Sequence, residues 1–276
     1  MNGTLAQLIS LTSFGNSYLN GQELKGFYPG NSTFQYCNTV DFRTFKKSLF
    51  GKQKEVIAAN DPNSWFEHMK NQGCKKLRLY YETQQPDNNA KEHQLAGFVG
   101  GGGTWLIEAV HDKSSNYWAN RWEVTKQEAE DRRIWTVNYG RTLTNERTTN
   151  QQKDISDLRE QLKKTLAEIS DFAFKQNLEN WGKTFENALN SLNSLEPQDS
   201  FYHTDMIASD NYELMNRQLL FAAGKSYVFG GMGSWNDLWL QDENEQANYD
   251  RLTSQLYELV NSSIVASINK DNNESR

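Results

Sequence analysis

The sequence predicts an α+β fold: an N-terminal antiparallel β-meander with a short helix, followed by a mainly helical C-terminal half. Three observations lead there. In the first half, β-rich runs alternate apolar with polar residues and are separated by turn residues. From Asn150 to Leu195 apolar residues recur at helical spacing, with neither Pro nor a Gly–Gly break. Strands come first and helices later, an order that belongs to α+β chains rather than to alternating α/β ones.

Taken in order, Asp61-Pro62 starts a short helix, with Asp as N-cap, Pro at the first helical position and "SWFEHMKNQGC" as its body. "KKLRLYYET" is a strand that stops at the turn "QPDNN". "HQLAGFV", the run Gly100–Gly103 and "TWLIEAVH" read as a hairpin, and "NYWANRWEV" and "RRIWTVNYG" extend it to a meander of four or five strands. Leu77, Leu79 and Tyr81 alternate with Arg78, Tyr80 and Glu82, and Trp118 and Trp122 with Tyr117, Arg121 and Glu123. One face is therefore apolar and the other carries Arg, Tyr and Glu, a pattern that a solvated face with cross-strand ion pairs explains and that a ligand platform including Glu108 would also fit.

Near Thr142 the pattern changes. Ile155, Leu158, Leu162, Ile169 and Phe172 form one a/d stripe, and Leu178, Trp181, Phe185, Ala188, Leu192 and Leu195 a second, offset by two residues. The slip is met by a turn near Lys175–Asn177, giving a helical hairpin, or by one long helix with a discontinuity. A continuous helix, at about 1.5 Å per residue, would extend roughly 70 Å, against a radius of gyration of about 19 Å for a compact chain of this length. It would project as an arm whose stripe needs a partner. Pro197 ends the segment. "DNYELMNRQLLFAAG" is a further helix with Gly224 as its C-terminal cap and Ser209 or Asp210 before it, "SYVF" a short strand, and the last helix runs from about Glu243 through Leu252, Leu256, Leu259 and Ile264 to a mobile tail, "NKDNNESR". Residues 1–145 form the sheet-rich region and 146–276 the helical one, with a glycine-rich loop near 230–237.

Composition narrows the functions. Eight Trp and 14 Phe in 276 residues supply a full core, so the chain folds. Its net charge of −6 argues against broad nucleic-acid or anionic-membrane binding. The distant Cys37 and Cys74 suit a reduced, cytoplasmic protein, and no apolar run is long enough to span a membrane. The N-terminal residues lack the basic start of a signal peptide.

Local chemistry is sparse. The glycine run precedes a strand rather than a helix, so it is a turn and not a phosphate cradle. "GKT" at Gly182 and "GKS" at Gly224 lack the upstream Gly of a P-loop. His93 and His111, flanked by Glu92 and Asp112, would make a metal site only if the hairpin slipped by one residue. "VFGGMGSWNDLWL" is the best candidate site: Ser234 and Asp237 have capping-box spacing, Trp235 and Trp239 anchor the loop, and "LWL" continues as a buried turn. As a ligand loop, Gly231 and Gly233, with Gly230, would allow close approach while Ser234, Trp235, Asn236 and Asp237 supply contacts.

No catalytic constellation and no cofactor fingerprint emerge, so neither cofactor nor metal is expected. The leading expectation is a non-catalytic interaction protein, oligomeric or part of a larger complex as subunit, modulator or inhibitor, with Ile155, Leu158, Leu162, Ile169 and Phe172 as contact surface. The alternative is an enzyme or small-molecule binder using the Gly230–Asp237 loop and the polar sheet face.

Overall fold

The structure, a computed structural model, describes residues 1–47, 53–83, 102–142 and 153–270. Six strands form one mixed sheet: β1 (Cys37–Lys47), β2 (Gln53–Ala59), β3 (Lys76–Glu82), β4 (Thr104–Val110), β5 (Ser115–Val124) and β6 (Trp135–Arg141), in the order β2-β1-β6-β5-β4-β3. The expected meander is β3 to β6, all antiparallel. The sequence reading did not resolve β1 and β2, and β1 joins β6 in parallel, so the sheet is mixed.

The expected hairpin partner "HQLAGFV", the turn "QPDNN" and the first two residues of the glycine run lie outside the described residues, as does His93. Strand β4 pairs along its length with β3 and over Ile107–Val110 with β5, in a register that aligns Leu79, Ile107 and Trp118. The hairpin register expected from the glycine turn rests on residues outside the described ones.

The two-faced sheet is as read. Leu77, Leu79, Ile107, Trp118, Val137 and Phe42 are buried on one face, where the helices pack. The other carries Arg78, Tyr80, Glu108, Tyr117 and Arg121. Arg43 pairs there with Asp41 at 2.8 Å and Glu55 at 3.2 Å, and Arg121 with Glu123 at 3.1 Å. Glu108 and Tyr117 are buried, with the Tyr117 hydroxyl donating to Glu108 at 3.4 Å.

Among the described residues, two helices lie in the first half. In α2 (Pro62–Asn71), Asp61 and Ser64 close a reciprocal capping box. The other, α1 (Gly3–Leu19), has no counterpart in the sequence reading. Twelve of its residues are buried, Ser, Thr, Gln and Asn among them. A surface helix shows one apolar stripe. A helix covered on all sides shows none, and its polar side chains are tolerated only when hydrogen-bonded. Gln7 takes the Tyr139 hydroxyl at 2.7 Å and donates to Thr33 O, while Thr12 bonds back to Leu8 O. A Cβ at Gly15 would lie 2.4 Å from Leu77, so glycine sets the approach of α1 to the sheet.

The outer edge of β3 is closed by side chains. Asn16 of α1 accepts from Leu77 N at 2.7 Å and donates to Leu77 O at 2.9 Å. Asn269 does the same for Leu79, at 2.8 and 2.9 Å. Each amide satisfies the donor and acceptor that a neighbouring strand would otherwise take.

In the second half, α3 (Ile155–Lys175) and α4 (Glu179–Ser191) form a hairpin, so the continuous 70 Å-scale arm does not exist. The turn falls where the two registers slip. Asn177 adopts φ 56°, and Leu178 N bonds Ala173 O at 2.8 Å. Gly182 explains how close the two helices come: a Cβ there would strike the Phe174 ring at 2.6 Å, and Ser170 donates to its carbonyl at 3.0 Å.

This overturns the expected contact surface. Ile155, Leu158, Leu162, Ile169 and Phe172 are at most 4% exposed, packed within the protein's own core against α4 and against α6 (Glu243–Asn269). Of the second stripe Phe185, Ala188 and Leu192 are buried, whereas Leu195 lies beyond the helix and is 75% exposed.

Helix α5 (Leu214–Lys225) ends at Ser226, so Gly224 lies within its last turn and is not its cap. Ser209 and Asp210 belong to a separate 3-10 turn, and Glu213 precedes α5 without a side-chain cap. Helix α6 begins at Glu243 as read, with Leu252, Leu256, Leu259 and Ile264 all buried. The tail from residue 271 lies outside the described residues. One hydrophobic cluster includes residues from both halves, so it runs across the expected boundary near residue 145.

Candidate functional site

The loop between α5 and α6 is built from the inside out. Trp235 is its anchor: it is fully buried, its indole N–H donates to Thr253 at 2.9 Å, and its ring meets Phe185 edge-on at 5.0 Å. The Tyr249 hydroxyl closes on the Trp235 carbonyl, and burial pushes that phenol's pKa up to about 12, so it stays a donor. Around this anchor the loop's polar atoms bind one another. Asn236 accepts from Gly230 N at 3.0 Å and donates to Gly230 O at 3.2 Å. Asp237 accepts from Gly233 N at 3.0 Å, and Ser234 N donates to Gly231 O at 3.1 Å.

Several expectations change here. Residues 226–229 form no strand. Ser234 makes no side-chain cap, and the Asp237 carboxylate reaches Gly233 rather than the Ser234 N–H, so the capping box is not formed. The helical turn is Trp235–Asp237 and ends before "LWL". Asn236 and Asp237 hold the loop instead of projecting toward a ligand. Gly233 is needed for its backbone, at φ 84°.

What the loop does present is apolar. Trp239 is 81% exposed and Met232 97%. Trp239 is no anchor, but it sits between two fixed points. Trp235 is one. The other is the start of α6, where Asp242 accepts from Asn244 N and Glu245 N, and Gln246 accepts from Leu240 N at 2.8 Å. Asp237, Asp242 and Glu243 are exposed beside it, and among the described residues none pairs with a cation.

A second concavity was not signalled by any motif. It is a cleft of about 450 Å³ between β5, β6, the start of α1, the 3-10 turn Ser32–Phe34 and residues 202–203. Ser32 Oγ lies 2.8 Å from His203 Nδ1 and donates to Asp205, which also accepts from Ser32 N at 2.9 Å. This is not a nucleophile triad. The carboxylate holds the serine rather than the imidazole, so it cannot orient a base. With its one proton given to Asp205, Ser32 accepts from His203 Nδ1–H, leaving Nε2 as the ring's acceptor. Burial lowers the His203 pKa below its usual value; Asp205 opposes the shift and the Met1 amine adds to it. Only assembly of distant segments brings these groups together, since Ser32 and His203 are 171 residues apart.

The remaining candidates assemble no site among the described residues. His111 Nε2 is 3.2 Å from the Asn116 amide, and no group of three metal-ligating side chains occurs among the described residues. Cys37 and Cys74 are buried free thiols, with pKa pushed up by burial to about 11 and about 12. No helix among the described residues is long and apolar enough to cross a membrane. Compared with known proteins, the chain matches no family model, no curated protein and no solved structure.

Proposed function

We propose that this chain is a non-catalytic interaction protein that docks a second protein through the loop carrying Met232 and Trp239. The observation that carries this reading is the 81% exposure of Trp239 on a loop whose Asn236 and Asp237 side chains are engaged internally. An indole held out on a fixed backbone has little conformational freedom left to lose on binding, and Trp is among the residues that dominate interface energies.

The acidic surround selects the occupant. Asp237, Asp242 and Glu243 are exposed and lie within four residues of Trp239 in the chain, and the whole chain carries −6. Two copies meeting through this patch would bring like charges together, so a partner with an apolar pocket rimmed by Lys or Arg fits better than self-association.

The test is the native mass of the protein drawn from its own cells, for the natural chain and for Trp239→Ala. The expected result is a stoichiometric companion that is lost from the variant, with affinity lowered by about 2 kcal/mol or more, roughly thirtyfold, and that weakens as salt is raised. A lone species of 31.8 kDa, a homo-oligomer, or a companion indifferent to Trp239→Ala would each overturn the reading.

A further inference from the structure

We propose that the cleft between β5, β6 and residues 202–203 binds an uncharged planar heterocycle of nucleoside size. Four aromatic rings form its walls: Trp122, Trp135, Tyr36 and Tyr202. They are fixed in place. The two indoles meet edge-on at 5.8 Å across neighbouring strands. Tyr36 and Tyr202, 42% and 66% exposed, are joined hydroxyl to hydroxyl at 3.1 Å, and Gln35 donates to Tyr202 at 2.6 Å. Exposed tyrosines tethered in this way are ring surfaces prepared for stacking, a contact that tolerates any flat heterocycle.

Among the described residues the lining holds no Asp, Glu, Lys or Arg, and the nearest carboxylate, Asp205, is bonded to Ser32. Its His and Cys side chains are held neutral near neutral pH: burial lowers the His203 pKa and raises that of the Cys37 thiol to about 11. An anion drawn between these walls would lose its water without gaining a counterion. The polar groups include the hydroxyls of Thr4 and Tyr36, the oxygens of Ser32 and Thr33, which give their protons to Asp205 and Asn31 and are left as acceptors, and the acceptor nitrogen of His203, suited to the edge of a base or to a ribose. A volume of about 450 Å³ lies within the range of small-molecule sites.

Calorimetric titration of the full chain with adenosine, guanosine, cytidine and uridine tests this, with methyl glucoside as a non-aromatic ring and benzoate as a planar anion. At least one nucleoside is expected to bind one-to-one while glucoside and benzoate do not. Tyr202→Ala, at an exposed position, should weaken that binding about fivefold or more with an unchanged circular dichroism spectrum, and Trp135→Phe offers a second wall to perturb. Trp239→Ala should leave it intact, which separates this site from the docking loop. No heat from any nucleoside at millimolar concentration, equal binding of glucoside or benzoate, or nucleoside binding indifferent to both wall variants would overturn the proposal.

Discussion

The stripe Ile155–Phe172 and the loop 228–240 both advertise apolar residues, yet the fold treats them in opposite ways. Every residue of the stripe that looked available to a partner is buried inside the chain. The loop is divided: Trp235 is fully enclosed, and Trp239, four residues on, is 81% exposed. Heptad spacing states how much apolar surface a helix must cover, but not which molecule covers it. Here α4 and α6 do so, and nothing remains for a partner. In the loop no periodicity assigns sides, and a 3-10 turn points one indole inward and leaves the other out. An interaction surface is therefore better sought where a large side chain stays exposed after the chain's own helices have been spent.

The contrast can be pressed with substitutions of decreasing effect. Leu162→Asp should cost about 4 kcal/mol or more, because an unpaired carboxylate would replace a fully buried leucine. Chemical denaturation should find the protein largely unfolded; a folded variant that merely lost an assembly would restore the stripe as a surface. Trp235→Ala should cost about 3–5 kcal/mol as a cavity opens beneath the loop. Thr253→Val keeps the shape but leaves the Trp235 indole N–H without its acceptor, a loss of about 1–3 kcal/mol. Gly233→Ala should cost about 1–2 kcal/mol, since φ 84° strains any side chain. Trp239→Ala should change stability by no more than about 0.5 kcal/mol. If melting shows it as damaging as Trp235→Ala, the division of the loop into anchor and display is wrong.

How much of this was legible depended on locality. The Asp61-Pro62 helix start, the strands of the meander and the offset stripes with Asn177 between them were readable because each signal lies within a few residues of its effect. The hairpin turns at Asn177, but how closely its two helices pack depends on Gly182, whose closeness to Phe174 has no signature in its immediate neighbours. Helix α1 was missed because it is covered on all sides, so its buried Ser, Thr and Asn erase the periodicity that marks a half-exposed helix. Trp239 was taken for an anchor because tryptophan is usually enclosed, and only its neighbours in space show otherwise. The aromatic cleft draws its walls from residues 36, 122, 135 and 202, a grouping no local motif could announce.

The two asparagines on the edge of β3 carry a consequence for the order in which the protein matures. Asn16 leaves the ribosome before Leu77, so its half of the edge is available as soon as the strand appears. Asn269 leaves 190 residues after Leu79. Until then that half of the strand offers an open amide and carbonyl to any other nascent chain. A chain whose β3 forms before α6 is synthesised would therefore carry this open half-edge until the last residues of α6 return to close the sheet.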